Sequence, residues 1–438
     1  MRKSQLKKAK EVLLKALSRI EARGAESARL IFEQDEVTEC KFDAGKIKSI
    51  DTKQTNQYTV EVVMNKKMGR VNSNDFNKID SIIDDAFTLS KIGSDVHFPA
   101  YPPPGQLRDV KTHSEDTVNL PRERLISSCQ AYVDRMKEYD DSLHIMASAE
   151  KSESESLIIN TGGVCEEVKE TSWSLLGFVQ RTGEKDILFA GDFLRWRDVK
   201  EHYDMDFIIQ KTLEKLKLAE HNTDALSGIY PVILRPYMLT FFLYPLALGV
   251  NGKNVIKGSS PLKDRIGEQI FDTSLTVIDN PHLDFSNGSR KISREGIPTK
   301  RIEIVKEGIL KNYLCDLDTA SLLNVEPTGN DNCQVHHGIV PKGDESFSRM
   351  VSQMEEGIYI VDLIGFGQSN IINGDFSCNV GLGYRIQNGE IKGRIKNVMA
   401  AGNIYDILKQ PVILSSDTHP TLGLPYAKVN GINFSASR

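Results

Sequence analysis

The chain switches between two hydrophobic periods, and each switch marks an element. Leu6, Ala9, Leu13, Ala16, Leu17 and Ile20 recur three and four apart, which predicts an amphipathic helix capped by Ser4 and closed at Gly24. The period then drops to two. Residues 28–32 and 58–62 alternate apolar and polar, as half-buried strands require, with Asp43-Ala44-Gly45 between them as a hairpin turn. Helical spacing returns from Asp75 through Ile79, Ile83, Ala86 and Leu89 to Gly93. Residues 98–105 carry Pro99 and the run Pro102-Pro103-Pro104, which cannot donate to a ladder and reads as a stiff extended connector.

A second round follows the connector. Pro121 suits a first helical turn, and Leu125, Cys129, Tyr132, Val133 and Met136 form an apolar stripe behind it. Strands are expected at 144–149, 156–160 and 171–181, and a third helix at 207–219. Trp173 and Trp196 read as packing between strand and helix.

After about residue 226 the texture changes. The turn dipeptides Asn251-Gly252, Asn287-Gly288, Asn373-Gly374, Asn388-Gly389 and Asn430-Gly431 favour type I′ hairpins. Residues 302–314 read as strand, Glu307-Gly308 turn, strand, and residues 384–391 as another hairpin. The expected class is α+β. Residues 1–225 form a region of antiparallel strands with flanking helices, with a possible sub-boundary at 98–105. Residues 226–438 form a mostly antiparallel β domain, barrel- or sandwich-like.

Composition narrows the function. An apolar fraction of 39%, a charged fraction of 26% and a formal charge of −5 over 438 residues describe a globular chain with no global field for nucleic acid or anionic membrane. No basic groove interleaved with aromatics is visible, so no nucleic-acid partner is expected. The longest apolar run, 237–250, is interrupted by Pro245 and falls short of the roughly 20 residues a span needs, so no membrane partner is expected either. The six cysteines are scattered without a CxxC pair and read as free thiols in a reducing compartment. Together with the polar first ten residues, this sets a cytoplasmic expectation.

One cluster has ligand chemistry. Cys333, His336 and His337 lie within five residues and could share a metal on a loop; the plain alternative is a polar loop whose side chains face apart. Gly365-Phe366-Gly367 and Gly381-Leu382-Gly383 do not complete a nucleotide-binding loop, and strand bulges or barrel bends account for them.

A series of C-terminal phrases then resembles the TldD/PmbA family, also called the modulator of DNA gyrase family. They are Asn280-Pro281; Arg294-Glu295-Gly296-Ile297-Pro298-Thr299-Lys300; the 302–314 hairpin; Pro327-Thr328-Gly329-Asn330; Gly374-Asp375-Phe376-Ser377; Asn388-Gly389-Glu390-Ile391; and 401–408, Ala-Gly-Asn-Ile-Tyr-Asp-Ile-Leu. Their order carries the resemblance, and the N-terminal half follows it more loosely.

The resemblance implies paired subunits that process or degrade unfolded peptides inside a closed dimer. One branch, TldD-like, carries a helical His-Glu-x-x-x-His motif and a C-terminal cysteine that hold zinc; the other, PmbA/TldE-like, lacks them. A catalytic zinc needs about three protein ligands and an open position. In the family the motif follows a strand like 228–234, but here 237–250 contains no His, Glu, Asp or Cys, and no cysteine follows Cys378. The expectation is therefore a PmbA/TldE-like subunit with no catalytic residue and no cofactor of its own. Zinc would reside in a TldD-like partner, although homodimerisation is open. The resemblance also suggests that Gly365, Gly367, Gly381 and Gly383 let a peptide backbone approach a sheet edge. The alternatives are an active hydrolase with a divergent metal site at Cys333, His336 and His337, and a stand-alone peptide-binding homodimer.

Overall fold

The structure is a computed structural model describing residues 2–436 apart from 185, 201–203 and 225–226. Helix α1 (Arg2–Ala22) ends at Gly24, whose φ of 83° is the left-handed conformation expected of a residue just past a helix. Strands β1 (Ser27–Asp43) and β2 (Lys46–Met64) follow, joined at Ala44-Gly45 with φ values of 49° and 67°. Then come β3 (Lys67–Ser73), α2 (Ile79–Ser90) and the short β4 (Ser94–Asp95). A connector crosses to α3 (Glu115–Val118) and α4 (Arg122–Tyr139). The pattern of helix, three strands and helix then recurs with β5 (His144–Asn160), β6 (Cys165–Gly183), β7 (Asp186–Trp196) and α5 (Met205–Leu218).

The seven strands form one antiparallel sheet in the order β4-β3-β2-β1-β5-β6-β7. Along β1, Leu30, Phe32, Cys40 and Phe42 point to one face, where α1 and α2 cover one end and α4 and α5 the other. The opposite face carries Arg29, Ile31 and Glu33 and turns toward the C-terminal half. Trp173 and Trp196 sit directly opposite each other on β6 and β7, both buried, in the packing role read from the sequence. The proline-rich connector is more enclosed than a surface crossing: Phe98 and Tyr101 are buried with Ile297 and Leu317.

The second half opens with β8 (Gly228–Leu234), α6 (Pro236–Gly249) and α7 (Gly252–Ile256). Strands β9 (Val277–Asp279), β10 (Ile302–Lys306) and β11 (Ile309–Leu310), helix α8 (Leu317–Leu323) and β12 (Gly338–Ile339) come next, the strands making a small sheet in the order β11-β10-β9-β12. Helix α9 (Phe347–Ser352), β13 (Glu356–Ile364), β14 (Asp375–Gln387), β15 (Glu390–Arg394), β16 (Val398–Asn403), α10 (Ile404–Leu408), β17 (Ile413–Thr418) and β18 (Pro425–Ala436) complete the chain. The order β13-β8-β18-β16-β14 closes on itself because β14 also pairs with β13, so these five strands form a barrel. The β8–β13 pairing is parallel and the rest are antiparallel. The fold is thus α+β, with a helix-covered antiparallel sheet and a β-rich second half. Ile233, Tyr359 and Tyr384 from the barrel share a core with α4 and α5, which ties the halves together.

The turn dipeptides divide. Asn388-Gly389 makes the expected hairpin, with φ of 53° and 76° between β14 and β15. Asn251 instead caps α7 by accepting from the Lys253 N–H, and Asn430-Gly431 lies at a bulge inside β18.

Candidate functional site

Helix α6 leaves the end of β8 through Arg235, with Pro236 pre-set for its first turn. Met238, Leu239, Phe242 and Leu246 anchor it in the core. Thr240, Leu243, Tyr244 and Ala247 line an open cavity of about 290 Å³, whose other walls include Val277, Asn287, Ile304, Val335, His336, His337, Leu422 and Leu424. A zinc ion of the kind the resemblance implies needs imidazole, carboxylate or thiolate ligands. α6 supplies none, so its residues do not fit that ion.

The loop after α8 places the cysteine–histidine cluster. Cys333 is fully buried, accepts from the Asp316 N–H at 3.3 Å and lies 3.3 Å from Thr319 Oγ1. Burial, with Asp316 nearby, pushes its thiol above the usual range. His336 turns elsewhere, with Nδ1 3.1 Å from Asp279 Oδ2. His337 Nδ1 is 3.1 Å from Ser286 Oγ. Among the described residues no three His, Cys, Asp or Glu side chains converge to hold a metal ion. The divergent metal site is therefore not assembled: each of the three side chains is committed to a different neighbour. Left-handed backbone at Asn332 and Cys333, with φ of 54° and 59°, sets their divergence.

Sequence reasoning missed Asp279, the residue that organises this loop. Its side chain is fully enclosed; Oδ1 accepts from the His336 and His337 N–H groups at 2.9 and 2.8 Å, and Oδ2 accepts from Asn330 Nδ2 at 2.6 Å. Its only sequence signal is its place before the Asn280-Pro281 phrase.

The glycines fall into two groups. Gly365 and Gly367 occupy the turn leaving β13, with φ of 85° and 97°. Gly381 and Gly383 lie within β14, beside irregular pairing with β13. A Cβ at Gly381 would meet Ile364 Cγ1 at 2.8 Å and Asp362 Oδ2 at 2.9 Å, so the close neighbour there is the protein's own strand.

Two further charged sites lie elsewhere in the molecule. A cleft of about 410 Å³ runs between the open face of β1–β3 and the loops of the second half. On its floor the Arg29 guanidinium meets Glu61 at 2.6 Å, with Arg70 and the Tyr101 hydroxyl on the same carboxylate. Glu295, accepting from the Leu317 N–H at 2.9 Å, is pushed up to about 7 by burial, with Asp316 adding and Arg29 opposing. At the second site Asp192 is reached by Lys215 Nζ at 2.7 Å, His419 Nε2 at 3.4 Å and Arg235 at 3.6 Å. Burial opposes its ionisation, but the Lys215, His419 and Arg235 side chains together hold it well below the usual carboxylate range. Burial, with Arg235 adding, brings Lys215 down to about 8 against the pull of Asp192.

A closed barrel bearing a helix at its mouth, joined to a helix-covered antiparallel sheet, is a fold shared with solved proteins. TldE from Thermococcus kodakarensis superposes with a TM-score of 0.88 at 20% identity, covering 97% of this chain and all of that one (100%). A candidate modulator of DNA gyrase from Thermotoga maritima gives 0.89 at 20% identity, over 97% and 99%. Residues 227–436 match the PmbA/TldA metallopeptidase C-terminal domain. Among curated relatives, the metalloprotease PmbA of Escherichia coli O157:H7 is 31% identical over 187 residues, 43% of this chain and 41% of that protein. A metalloprotease PmbA homolog of Buchnera aphidicola is 27% identical over 260 residues, 59% and 57%. Several curated relatives are matched over about three fifths of their own length. Residues 227–436 place the second half of the chain in the TldD/PmbA family. Among the described residues no helix is long and apolar enough to cross a membrane.

Proposed function

We propose that this chain is the non-catalytic, PmbA/TldE-like subunit of a two-chain metallopeptidase that processes or degrades unfolded peptides in the cytoplasm. The observation that carries the reading is α6. It follows β8 where the family's zinc motif would stand, and its fourteen residues hold no His, Cys, Asp or Glu. A TldD-like partner would supply the zinc and the hydrolytic water, while this chain completes the peptide-binding walls.

An exposed apolar stripe on β6 and β7 supports a partner. Leu176, Ile187 and Phe189 are 42%, 51% and 37% exposed, and Phe189 stacks on Phe178 at 5.6 Å. Such a patch on a soluble chain is commonly a contact surface. Co-expression with a zinc-bearing TldD-like relative tests the reading. Cleavage of an unstructured peptide should require both chains, and full-rate, chelator-sensitive cleavage by this chain alone would contradict it.

A further inference from the structure

Helix α5 and the start of α6 share a second pocket, of about 400 Å³, whose lining includes Tyr237, Phe347, Tyr359 and Tyr426. The Phe347 ring lies 4.9 Å from that of Tyr359 and 4.6 Å from that of Tyr426, so these three form one aromatic wall. Arg235, the N-cap residue of α6, lines the same pocket. Its guanidinium makes no hydrogen bond among the described residues. Nε is sealed without a partner, and Asp192 Oδ2 stands 3.6 Å from Nη1, beyond hydrogen-bond reach. The side chain is 12% exposed, and the Nη groups, unlike Nε, keep access to solvent. The other ionic groups of the lining are committed. Lys215 Nζ donates to Asp192 Oδ2 at 2.7 Å and to the Gly191 carbonyl at 2.6 Å, and His419 Nε2 sits 3.4 Å from Asp192 Oδ1. Lys211 Nζ pairs with Glu214 at 2.8 Å, and Asp417 Oδ2 accepts from the Phe347 N–H at 2.6 Å.

We propose that this pocket binds the carboxylate of an aromatic or apolar organic acid, its two oxygens accepting one N–H each from Nη1 and Nη2 of Arg235. The inference goes beyond the partner-subunit reading and does not rest on it. The planar fork matches a carboxylate, and the sealing of Nε leaves the end-on pair of Nη groups to do so. The Tyr237 ring, centred 5.2 Å from Arg235 Cζ, steadies the guanidinium by a cation–π contact. Pro236 and Tyr237 open α6 and line the pocket, so the positive end of a fourteen-residue helix favours an anion there. One uncommitted cation matches one negative charge; a phosphate dianion would set its second charge against the enclosed Asp192. The volume lies within the range of small-ligand sites, and the aromatic wall suits a ring or alkyl body behind the carboxylate. A free acid and the C-terminus of a peptide offer the same group.

The test is isothermal titration calorimetry of the full chain with N-acetyl-phenylalanine, its amide and phenyl phosphate. A Gly/Ser-rich peptide ending in phenylalanine, as the acid and as the C-terminal amide, forms the second arm. At least one of the two acids should bind about tenfold or more tighter than its amide, and tighter than phenyl phosphate. Binding of the small acid points to a free acid as the source, binding of the peptide acid alone points to a chain terminus, and either upholds the site. Arg235→Gln should erase the difference between acid and amide. Ser348→Trp, at an exposed position on the rim, leaves Arg235 and Asp192 in place. It should abolish acid binding without moving the thermal unfolding transition. Equal binding of acid and amide, preference for phenyl phosphate, no binding of either acid, or indifference to Ser348→Trp overturns the proposal. None of these outcomes bears on the two-chain cleavage assay, so the two readings fail separately.

Discussion

His336 Nδ1 lies 3.1 Å from Oδ2 of Asp279, a carboxylate with no solvent exposure that also gathers two backbone N–H groups and an asparagine amide. One buried acid thus fixes the loop that forms a wall of the α6 cavity. Its oxygens are met by N–H donors, an arrangement that stabilises only while every donor is in place.

Asp279→Asn should therefore be costly. The amide would turn an N–H toward groups that are themselves donors and leave part of the network unpaired. We expect a loss of about 2–4 kcal/mol in unfolding free energy, read from urea denaturation. A change within about 0.5 kcal/mol would show that the network contributes little.

The Arg29–Glu61 pair makes a second prediction. Both side chains are enclosed, at 8% and 1% exposed, so removing Glu61 strands the Arg29 charge. Glu61→Leu alone should destabilise by roughly 3–5 kcal/mol, and the Arg29→Leu/Glu61→Leu double variant by markedly less than the sum of the singles. Additive costs in the double-mutant cycle would argue against direct coupling.

Glu295 predicts a pH dependence with a definite sign. Its carboxyl is pushed up to about 7 in the folded chain from a reference of 4.5. Between those values the folded chain keeps a proton that the unfolded chain has released, so stability is fully present below about 4.5 and falls as pH rises toward 7. Glu295→Gln keeps the uncharged form and can still accept from the Leu317 N–H. It should match the parent near pH 4.5 and exceed it by roughly 2–3 kcal/mol at pH 8. Parallel stability–pH curves for the two proteins would contradict this.

Local chemistry made much of the fold legible. The Glu307-Gly308 turn and the Ala44-Gly45 turn both adopt two positive φ values, the second at the glycine that favours it. Alternation located β1 and β2 but not their lengths of 17 and 19 residues, because polar residues 33–36 interrupt the apolar pattern of β1 and the first half of β2 is largely exposed. For the same reason 144–149 and 156–160 read as two strands, whereas β5 runs unbroken through the polar residues between them. β7 was not recognised, although Leu188, Ala190, Leu194 and Trp196 alternate inward along it. At the candidate site, the absence of ligands on 237–250 was readable directly. The divergence of Cys333 from His336 was not, since it depends on left-handed backbone at 332 and 333 and on Asp279, some fifty residues upstream. The α6 cavity draws its walls from segments spread from Thr240 to Leu424, a juxtaposition that no local pattern encodes.

On the proposed function this chain works with a zinc-bearing relative and not alone. The most direct measurement is cleavage of an unstructured peptide by each purified chain and by the co-expressed pair, with and without a chelator. Chelator-sensitive cleavage is expected only when both chains are present. Cleavage by this chain alone at the rate of the pair, lost on chelation, would contradict it.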